Sequence, residues 1–316
     1  MIQKRSVAIV GTGNVGVAAA YALFNQRIAS EIILVDLNKE RAEGEAMDLM
    51  HGQLLVGNVK VRAGGYEDLK ETQVVVVTAG VGQKSPDESR LELLNRNAEV
   101  FDSIISDLDK YAPQAILIIA TNPVDILTYV SQKISSRAPK RIIGTGTLLD
   151  TARFRSLLGR YYDVDPRSVH AYILGEHGDS EVPIWSQANI GGKPILKNTL
   201  LGKPYDKDAL NRIFEESKNA AYEIIKRKGF TNSAIGVVIA RIVEGILKDE
   251  KSVIPITVYC DGQYDIEDVC MSLPASLGIE GIKHIMSPDL NTKEIKGLKK
   301  SAAILQQRLK GMDIQD

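Results

Sequence analysis

The ten residues VAIVGTGNVG, at positions 7–16, decide the fold of this chain of 316 residues. An apolar run of strand length leads directly into the pattern G-x-G-x-x-G, and a helical pattern follows. Gly11 permits a tight turn, Gly13 lets backbone N–H groups approach a pyrophosphate, and Gly16 allows the helix to pack on the sheet. The stretch therefore predicts a β–α unit that binds a dinucleotide.

An acidic residue stands where such a unit needs one. Asp36 ends the next apolar run, 20 residues after the third glycine, where its carboxylate can accept hydrogen bonds from the adenosine ribose hydroxyls. Its charge would repel a 2′-phosphate, which favours NAD over NADP. The candidate cofactor contacts are Gly11, Gly13, Asn14, Val15, Gly16, Asp36, Thr78, Ala79, Gly80 and Asn122.

Apolar runs of strand length recur through the first half of the chain, separated by amphipathic or charged stretches of helical length. They are rich in Val and Ile, as expected of parallel strands that are buried on both faces. The predicted strands cover residues 7–10, 32–35, 59–62, 74–77, 116–120 and 142–144. This alternation predicts a doubly wound α/β sheet of the Rossmann type, with strand order 3-2-1-4-5-6 and a ligand crevice at the carboxyl ends of strands one and four.

The pattern changes after Gly146. A segment at 169–200 is rich in strand and turn residues, and longer helical patterns follow it. Helices are predicted at 148–158, 206–227, 231–248 and 292 to about 310, and strands at 253–260 and 269–273. We therefore predict an NAD-binding domain over residues 1–146 and an α+β catalytic domain that binds the substrate over residues 147–316.

The composition argues against several classes of function. With 39 basic and 40 acidic residues the net charge is −1, so no overall field attracts nucleic acid or an anionic membrane. No segment approaches the roughly 18 apolar residues of a membrane span, and the N-terminal apolar run is too short for a signal peptide. We expect a cytoplasmic protein. Cys260 and Cys270 have no paired histidine nearby, so we expect reduced thiols and no metal site.

Four further segments carry polar groups that suit hydride transfer to a ketone. They are QKSPDESR at 83–90, TNPVD at 121–125, LDTAR at 149–153 and GEHGDS at 175–180. Together with GTGNVG and KGFTNSAIG, these segments resemble the lactate and malate dehydrogenase family over nearly the whole chain. The resemblance implies an NAD-dependent oxidoreductase that interconverts a small 2-oxo acid and the corresponding 2-hydroxy acid.

Such a reduction needs a proton donor at the ketone oxygen and an anchor for the substrate carboxylate. His177 is the candidate acid and base, because an imidazole titrates near neutrality. The resemblance gives Asp150 the role of orienting His177, and Arg153 that of binding the carboxylate through two guanidinium N–H groups. Asp150 and Arg153 are three residues apart, so they share one face of a helix.

The resemblance also implies a lid and further substrate contacts. Arg90 follows a loop over residues 81–89 that is rich in Gly, Pro and charge, and on closure it would polarise the ketone as a catalytic residue. Asn122, at the end of the fifth predicted strand, would hydrogen-bond near the substrate oxygen. Thr231 would form part of the pocket wall.

The identity of the acid depends on Gln83, which the resemblance places against the substrate side chain. The lactate branch has Gln there and the malate branch has Arg, so pyruvate and L-lactate are expected and malate is less favoured. The lid is one residue longer than the usual Q-K-P-G-E-S/T-R and lacks its glycine. A dehydrogenase of larger acids, such as 2-hydroxyisocaproate, is therefore the alternative. A structural or non-redox NAD protein is disfavoured, since NAD-dependent glycosidases need a Cys and His metal cluster.

Two basic residues suggest regulation. Arg155 is two residues beyond Arg153, a step of about 200° around the helix, so it points away from the substrate. Arg155 and His170 match positions that bind fructose 1,6-bisphosphate across a tetramer interface in bacterial lactate dehydrogenases. The resemblance thus implies a homo-oligomer, expected to be a tetramer, with this activator. In the alternative, Arg155 forms an interfacial ion pair and His170 is an ordinary strand residue.

Overall fold

The computed structural model describes residues 5–82 and 90–312. The strands are β1 (Ser6–Val10), β2 (Glu31–Val35), β3 (Lys60–Ala63), β4 (Val74–Val77), β5 (Ile116–Ile119), β6 (Ile142–Gly144), β7 (Val169–His170), β8 (Ile173–Leu174), β9 (Val182–Pro183), β10 (Asn189–Ile190), β11 (Lys193–Pro194), β12 (Ser252–Asp261), β13 (Glu267–Gly278) and β14 (Gly281–Ile285). The helices are α1 (Asn14–Asn25), α2 (Lys39–His51), α3 (Gln53–Val56), α4 (Arg90–Tyr111), α5 (Val124–Ile134), α6 (Leu148–Tyr162), α7 (Lys207–Lys228), α8 (Ser233–Leu247) and α9 (Thr292–Lys310).

The central sheet has the predicted order in its first six strands. They run β3-β2-β1-β4-β5-β6 and pair in parallel, and every residue of β1, β2, β4, β5 and β6 is buried. Continuous burial explains why these segments lack polar alternation. The Rossmann-type prediction is confirmed, and the carboxyl ends of β1 and β4 lie side by side.

The sheet is larger than the sequence predicted. Within the described residues it has nine strands, because β12, β13 and β14 continue it beyond β6 in antiparallel pairing. Thr257 of β12 pairs with Gly144 of β6. The added strands cover what would otherwise be an open edge of the parallel sheet.

The two halves of the chain also meet through helices. Helix α8 crosses α1 so closely that a Cβ on Gly236 would lie 2.6 Å from the backbone of Ala18. The main hydrophobic core accordingly includes residues from both halves. A smaller core forms around α6, where the rings of Phe154 and Trp185 pack edge to face with centroids 4.9 Å apart. This core packs α6 against α7 and the short strand β7.

The described part of the chain contains no helix long and apolar enough to cross a membrane. Cys260 and Cys270 are buried and not bonded to each other, and burial raises the pKa of both thiols. Among residues 5–82 and 90–312 there is no group of three or more His, Cys, Asp or Glu side chains arranged to hold a metal ion.

Candidate active site

The glycine-rich loop leaves open space at the start of α1. Gly11 has a φ of +100°, and a Cβ there would lie 2.6 Å from the amide nitrogen of Ala79. A Cβ on Gly16 would lie 1.9 Å from the carbonyl oxygen of Gly11. By contrast, a Cβ on Gly13 would have no neighbour within 4 Å, and this N-cap residue provides no side-chain cap. The first N–H groups of α1 therefore have no side-chain cap, and the position beside Gly13 is open, which is what binding of a pyrophosphate requires.

Asp36 lies next to the glycine-rich loop and also forms hydrogen bonds to it. Its Oδ2 accepts hydrogen bonds from the amide and hydroxyl of Thr12, at 2.6 and 2.8 Å, and its Oδ1 accepts one from the amide of Asn38 at 2.9 Å. Burial raises the pKa of Asp36, but these hydrogen bonds outweigh it and the pKa is lowered. The carboxylate is therefore ionised where the ribose contact is predicted. Its contact with Thr12 was not predicted from the sequence.

A single carboxylate links the predicted acid to the predicted anchor. Asp150 lies in the first turn of α6, and its Oδ2 lies 2.6 Å from Nδ1 of His177. Its Oδ1 accepts a hydrogen bond of 3.0 Å from a guanidinium nitrogen of Arg153. The side chain of Asp150 is 6% exposed, that of Arg153 15% and that of His177 25%. The two outer groups thus reach solvent while the carboxylate between them is buried.

The charges within this group of three favour an ion pair. Burial lowers the pKa of His177, but the charge of Asp150 and its hydrogen bond, with the charges of Asp125 and Glu181, raise it to about 9. Burial raises the pKa of Asp150, but His177 and Arg153 outweigh it and the pKa is lowered. At neutral pH the pair is an imidazolium beside a carboxylate.

The loop that carries His177 is fixed at several points. It leaves β8 through Gly175, which has a φ of +92° and exchanges two backbone hydrogen bonds with Ser272 of β13. The amide of Glu176 donates to the Ser301 hydroxyl of α9 at 2.7 Å, and its carboxylate pairs with Arg308. The position of His177 is therefore set by the sheet and by the last helix.

A cavity of about 460 Å³ brings four predicted residues together: Asn122, Asp150, Arg153 and His177. Asn122 lies at the carboxyl end of β5, as the sequence indicated. Apolar side chains such as Ile126 and Ile225 also line the cavity. The cavity therefore brings a proton donor, a cation and an amide together in a space that is partly lined by apolar side chains.

Other predicted residues lie elsewhere or outside the described residues. Thr231 is partly buried just before α8 and is not among the described residues that line this cavity. Gln83 lies outside the described residues. Arg90 is the first residue of α4, and its side chain is likewise outside the described part. Arg155 donates a hydrogen bond of 3.3 Å to the carbonyl of Arg167, and His170 is exposed on β7.

Two buried carboxyl groups near His177 were missed by the sequence analysis. Asp125 accepts a hydrogen bond from the amide of His177. Glu181 lines the cavity, and its Oε1 is buried with no hydrogen-bond partner among the described residues. Burial and Asp150 raise the pKa of Glu181 to about 8, although His177, Lys218 and Arg153 oppose this. Asp125 belongs to the TNPVD segment, which was the one signal that could have pointed to it.

Comparison with protein families agrees with this geometry. Residues 5–144 match the lactate/malate dehydrogenase NAD binding domain, and residues 147–313 match the lactate/malate dehydrogenase alpha/beta C-terminal domain. The chain belongs to the lactate/malate dehydrogenase family. Its cofactor is therefore NAD, and it is an NAD-dependent oxidoreductase that acts on a CH–OH group.

Members of the lactate/malate dehydrogenase family are similar to the chain along nearly its full length. An L-lactate dehydrogenase of Salinibacter ruber is 61% identical over 305 residues, which are 96% of each chain. L-lactate dehydrogenase 1 of Clostridium acetobutylicum is 44% identical, with 98% of this chain and 99% of the relative covered. The crystal structure of a minor L-lactate dehydrogenase from Enterococcus mundtii is 41% identical, covers 98% of both chains and superposes with a TM-score of 0.94.

Proposed function

We propose that this chain is an L-lactate dehydrogenase, which reversibly reduces pyruvate to L-lactate with NADH. The observation that carries the proposal is the pair of contacts made by the Asp150 carboxylate. It is within hydrogen-bond distance of both His177 and Arg153, and all three residues line one cavity. A proton donor and a carboxylate anchor at fixed separation suit a 2-oxo acid. The names of the relatives from Salinibacter ruber and Clostridium acetobutylicum support pyruvate as the substrate.

The chain's own residues divide the work as follows. NAD, when bound, supplies or accepts the hydride at the carbon that carries the oxygen. Because Nδ1 of His177 faces Asp150, the proton for the ketone oxygen is held at Nε2 and returns there in the reverse direction. Arg153 binds the substrate carboxylate, and Asn122 hydrogen-bonds near the reacting oxygen. Arg90 polarises the ketone from the lid.

The remaining assignments follow the same division. The open N-terminus of α1, with Gly11, Gly13, Asn14, Val15 and Gly16, receives the pyrophosphate, and Asp36 receives the ribose. Thr78, Ala79 and Gly80 follow β4 beside this loop, and together with Asn122 they are the remaining proposed cofactor contacts. Thr231 is proposed as part of the pocket wall. We place the boundary between the NAD-binding and catalytic domains at 146/147, which the two family matches support. We also propose a cytoplasmic location.

The first prediction concerns the substrate. We expect kcat/KM to be highest for pyruvate, with oxaloacetate lower by about tenfold to several hundredfold, because a neutral Gln83 leaves a second carboxylate unpaired. NADH absorbance at 340 nm, followed with pyruvate, oxaloacetate and 2-oxoisocaproate, gives the ranking directly. A preference for 2-oxoisocaproate would replace the proposal by the alternative that the longer lid suggests. No turnover of any 2-oxo acid would contradict it altogether.

A Gln83→Arg variant extends this test. The added guanidinium should raise the activity on oxaloacetate and lower it on pyruvate. Gln187→Arg is the matched control, because Gln187 is exposed and is not among the described residues that line the cavity. Equal ratios in wild type and in Gln83→Arg would mean that residue 83 does not face the substrate.

The second prediction concerns regulation and assembly. We propose a homotetramer in which Arg155 and His170 of neighbouring subunits bind fructose 1,6-bisphosphate, and this rests on the exposed position of His170 and on the resemblance. A phosphate binds a charged imidazole better than a neutral one, so activation should be stronger near pH 6 than near pH 8.

The measurement is pyruvate saturation at both pH values, with and without millimolar fructose 1,6-bisphosphate. The KM for pyruvate should fall in wild type and stay constant in a variant with Arg155→Gln and His170→Ala. An unchanged wild-type KM, or activation that survives in the double variant, would contradict the proposal that Arg155 and His170 bind this activator.

A further inference from the structure

A buried carboxylate lies behind the catalytic loop and has no role in the chemistry described so far. Asp125 is in the first turn of α5 and is 3% exposed. Its Oδ2 accepts a hydrogen bond of 2.7 Å from the backbone amide of His177, 52 residues away. Its Oδ1 accepts one of 2.6 Å from the hydroxyl of Thr257 in β12. The carboxylate therefore joins three distant segments at the back of the proton donor.

From this contact we infer that Asp125 is a positioning residue, which fixes the main chain of His177 and adds a second negative charge beside its ring. The inference rests on the proposed function, in which His177 moves the proton. Asp150 holds the ring at Nδ1, and Asp125 holds the backbone of the same residue. These two contacts restrict the rotation of the imidazole, so Nε2 is kept directed towards the cavity.

The surroundings of Asp125 explain why its charge acts on His177. Both of its hydrogen-bond donors, an amide and a hydroxyl, are neutral, so they do not cancel the charge of the carboxylate. The charge of His177 lowers the pKa of Asp125, whereas the charge of Glu176 raises it. On the neighbouring strands, burial and then the charge of Asp125 raise the pKa of Cys260, and the same charge contributes to the raised pKa of Cys270. The imidazolium of His177 is thus the charged group that stabilises the ionised form of Asp125.

The direction of the titration follows from the same contacts. Burial raises the pKa of Asp125 to about 6, against the opposing effect of its hydrogen bonds and of His177. Above that pH the ionised carboxylate adds to the charges of Asp150 and Glu181 in raising the pKa of His177. Removing the charge should therefore lower the pH at which His177 loses its proton.

Asp125→Asn tests the charge, because asparagine keeps the size and an oxygen acceptor for the His177 amide. Pyruvate reduction needs the imidazolium, so activity falls as the pH rises through the pKa of His177. In Asp125→Asn we expect this alkaline limb of kcat/KM to move to a pH lower by about 1. Thr257→Val keeps the charge and the His177 hydrogen bond, so its limb should stay within about 0.3 of the wild-type pH.

Asp109→Asn is the matched control for stability. Asp109 accepts hydrogen bonds from Ser135 and Ser136, pairs with Arg137 and does not line the cavity. Its replacement should lower the Tm without moving the limb. An alkaline limb at the wild-type pH in folded Asp125→Asn that binds NADH normally would overturn the inference. An equal movement in Thr257→Val or Asp109→Asn would also overturn it, because loss of stability would then account for the change.

A second measurement applies if Asp125→Asn does not fold. In wild type, the ring resonance of His177, assigned by its absence in His177→Asn, should show a small inflection near pH 6 as Asp125 takes up its proton. Loss of the hydroxyl donor in Thr257→Val should move this inflection to higher pH. Its absence in wild type would overturn the inference. This titration needs no turnover, so failure of the proposed function, seen as inactivity with every 2-oxo acid, is a separate result.

Discussion

Replacing His177 by asparagine is expected to lower kcat for pyruvate reduction by about 10³-fold while leaving the affinity for NADH nearly unchanged. Asparagine keeps a polar side chain of similar reach but holds no proton that can be transferred. Most of the proposed cofactor contacts lie on the glycine-rich loop and at Asp36, whereas His177 is held by Asp150 on α6, so we expect the two sites to be separable. Stopped-flow turnover and NADH fluorescence titration measure the two effects.

The pH dependence of the wild-type enzyme checks the same assignment. With the pKa of His177 raised to about 9, the imidazolium needed for pyruvate reduction persists through neutral pH and is lost as the pH rises through that value. Lactate oxidation needs the neutral ring, so it should gain over the same range. His284→Asn is the matched control, since His284 is exposed on β14. An equal loss of NADH affinity and turnover in His177→Asn would point to a structural role instead.

The parallel part of the fold could be predicted because its signal is local. Strands buried on both faces appear as short apolar runs, and a glycine fingerprint marks where the first one ends. The joining of β12–β14 to this sheet could not be predicted in the same way. Thr257 pairs with Gly144 across more than a hundred residues of chain, and no local pattern encodes that pairing.

The extent of one helix illustrates a similar limit. The sequence predicted a helix over 148–158, but α6 continues to Tyr162 and ends at Asp163, which has a φ of +56°. Gly159 lies inside the helix, at a position where a Cβ would come within 2.9 Å of the carbonyl oxygen of Val164. This glycine is needed for a close approach and does not end the helix.

The residues of the candidate site also fall into those that the sequence predicted and those that it did not. His177, Asp150 and Arg153 were predicted because their side-chain chemistry and the resemblance both point to them, and the structure brings them within hydrogen-bond distance. Asp125 was missed because it acts on a backbone amide, which every residue other than proline carries. Glu181 was missed because its effect depends on burial beside other charges, which composition and spacing do not reveal.

Arg153→Lys is expected to raise the KM for pyruvate by about 10- to 100-fold, with a much smaller change in kcat. A guanidinium can hold a carboxylate through two parallel hydrogen bonds, whereas an ammonium offers a point charge, and one lost hydrogen bond to a charged group costs about 1.5–3 kcal/mol. The anchor serves the bound substrate and the transition state alike, so the loss appears mainly in KM.

The effect on kcat in Arg153→Lys should stay small because Asp150 keeps its contact with His177 when Arg153 is shortened. Steady-state kinetics at saturating NADH separates the two constants. Arg160→Lys, at an exposed position on the same helix, controls for helix stability and should leave both constants unchanged. A fall in kcat at constant KM would argue that Arg153 acts on Asp150 and His177, through its hydrogen bond to Oδ1, and does not hold the substrate carboxylate.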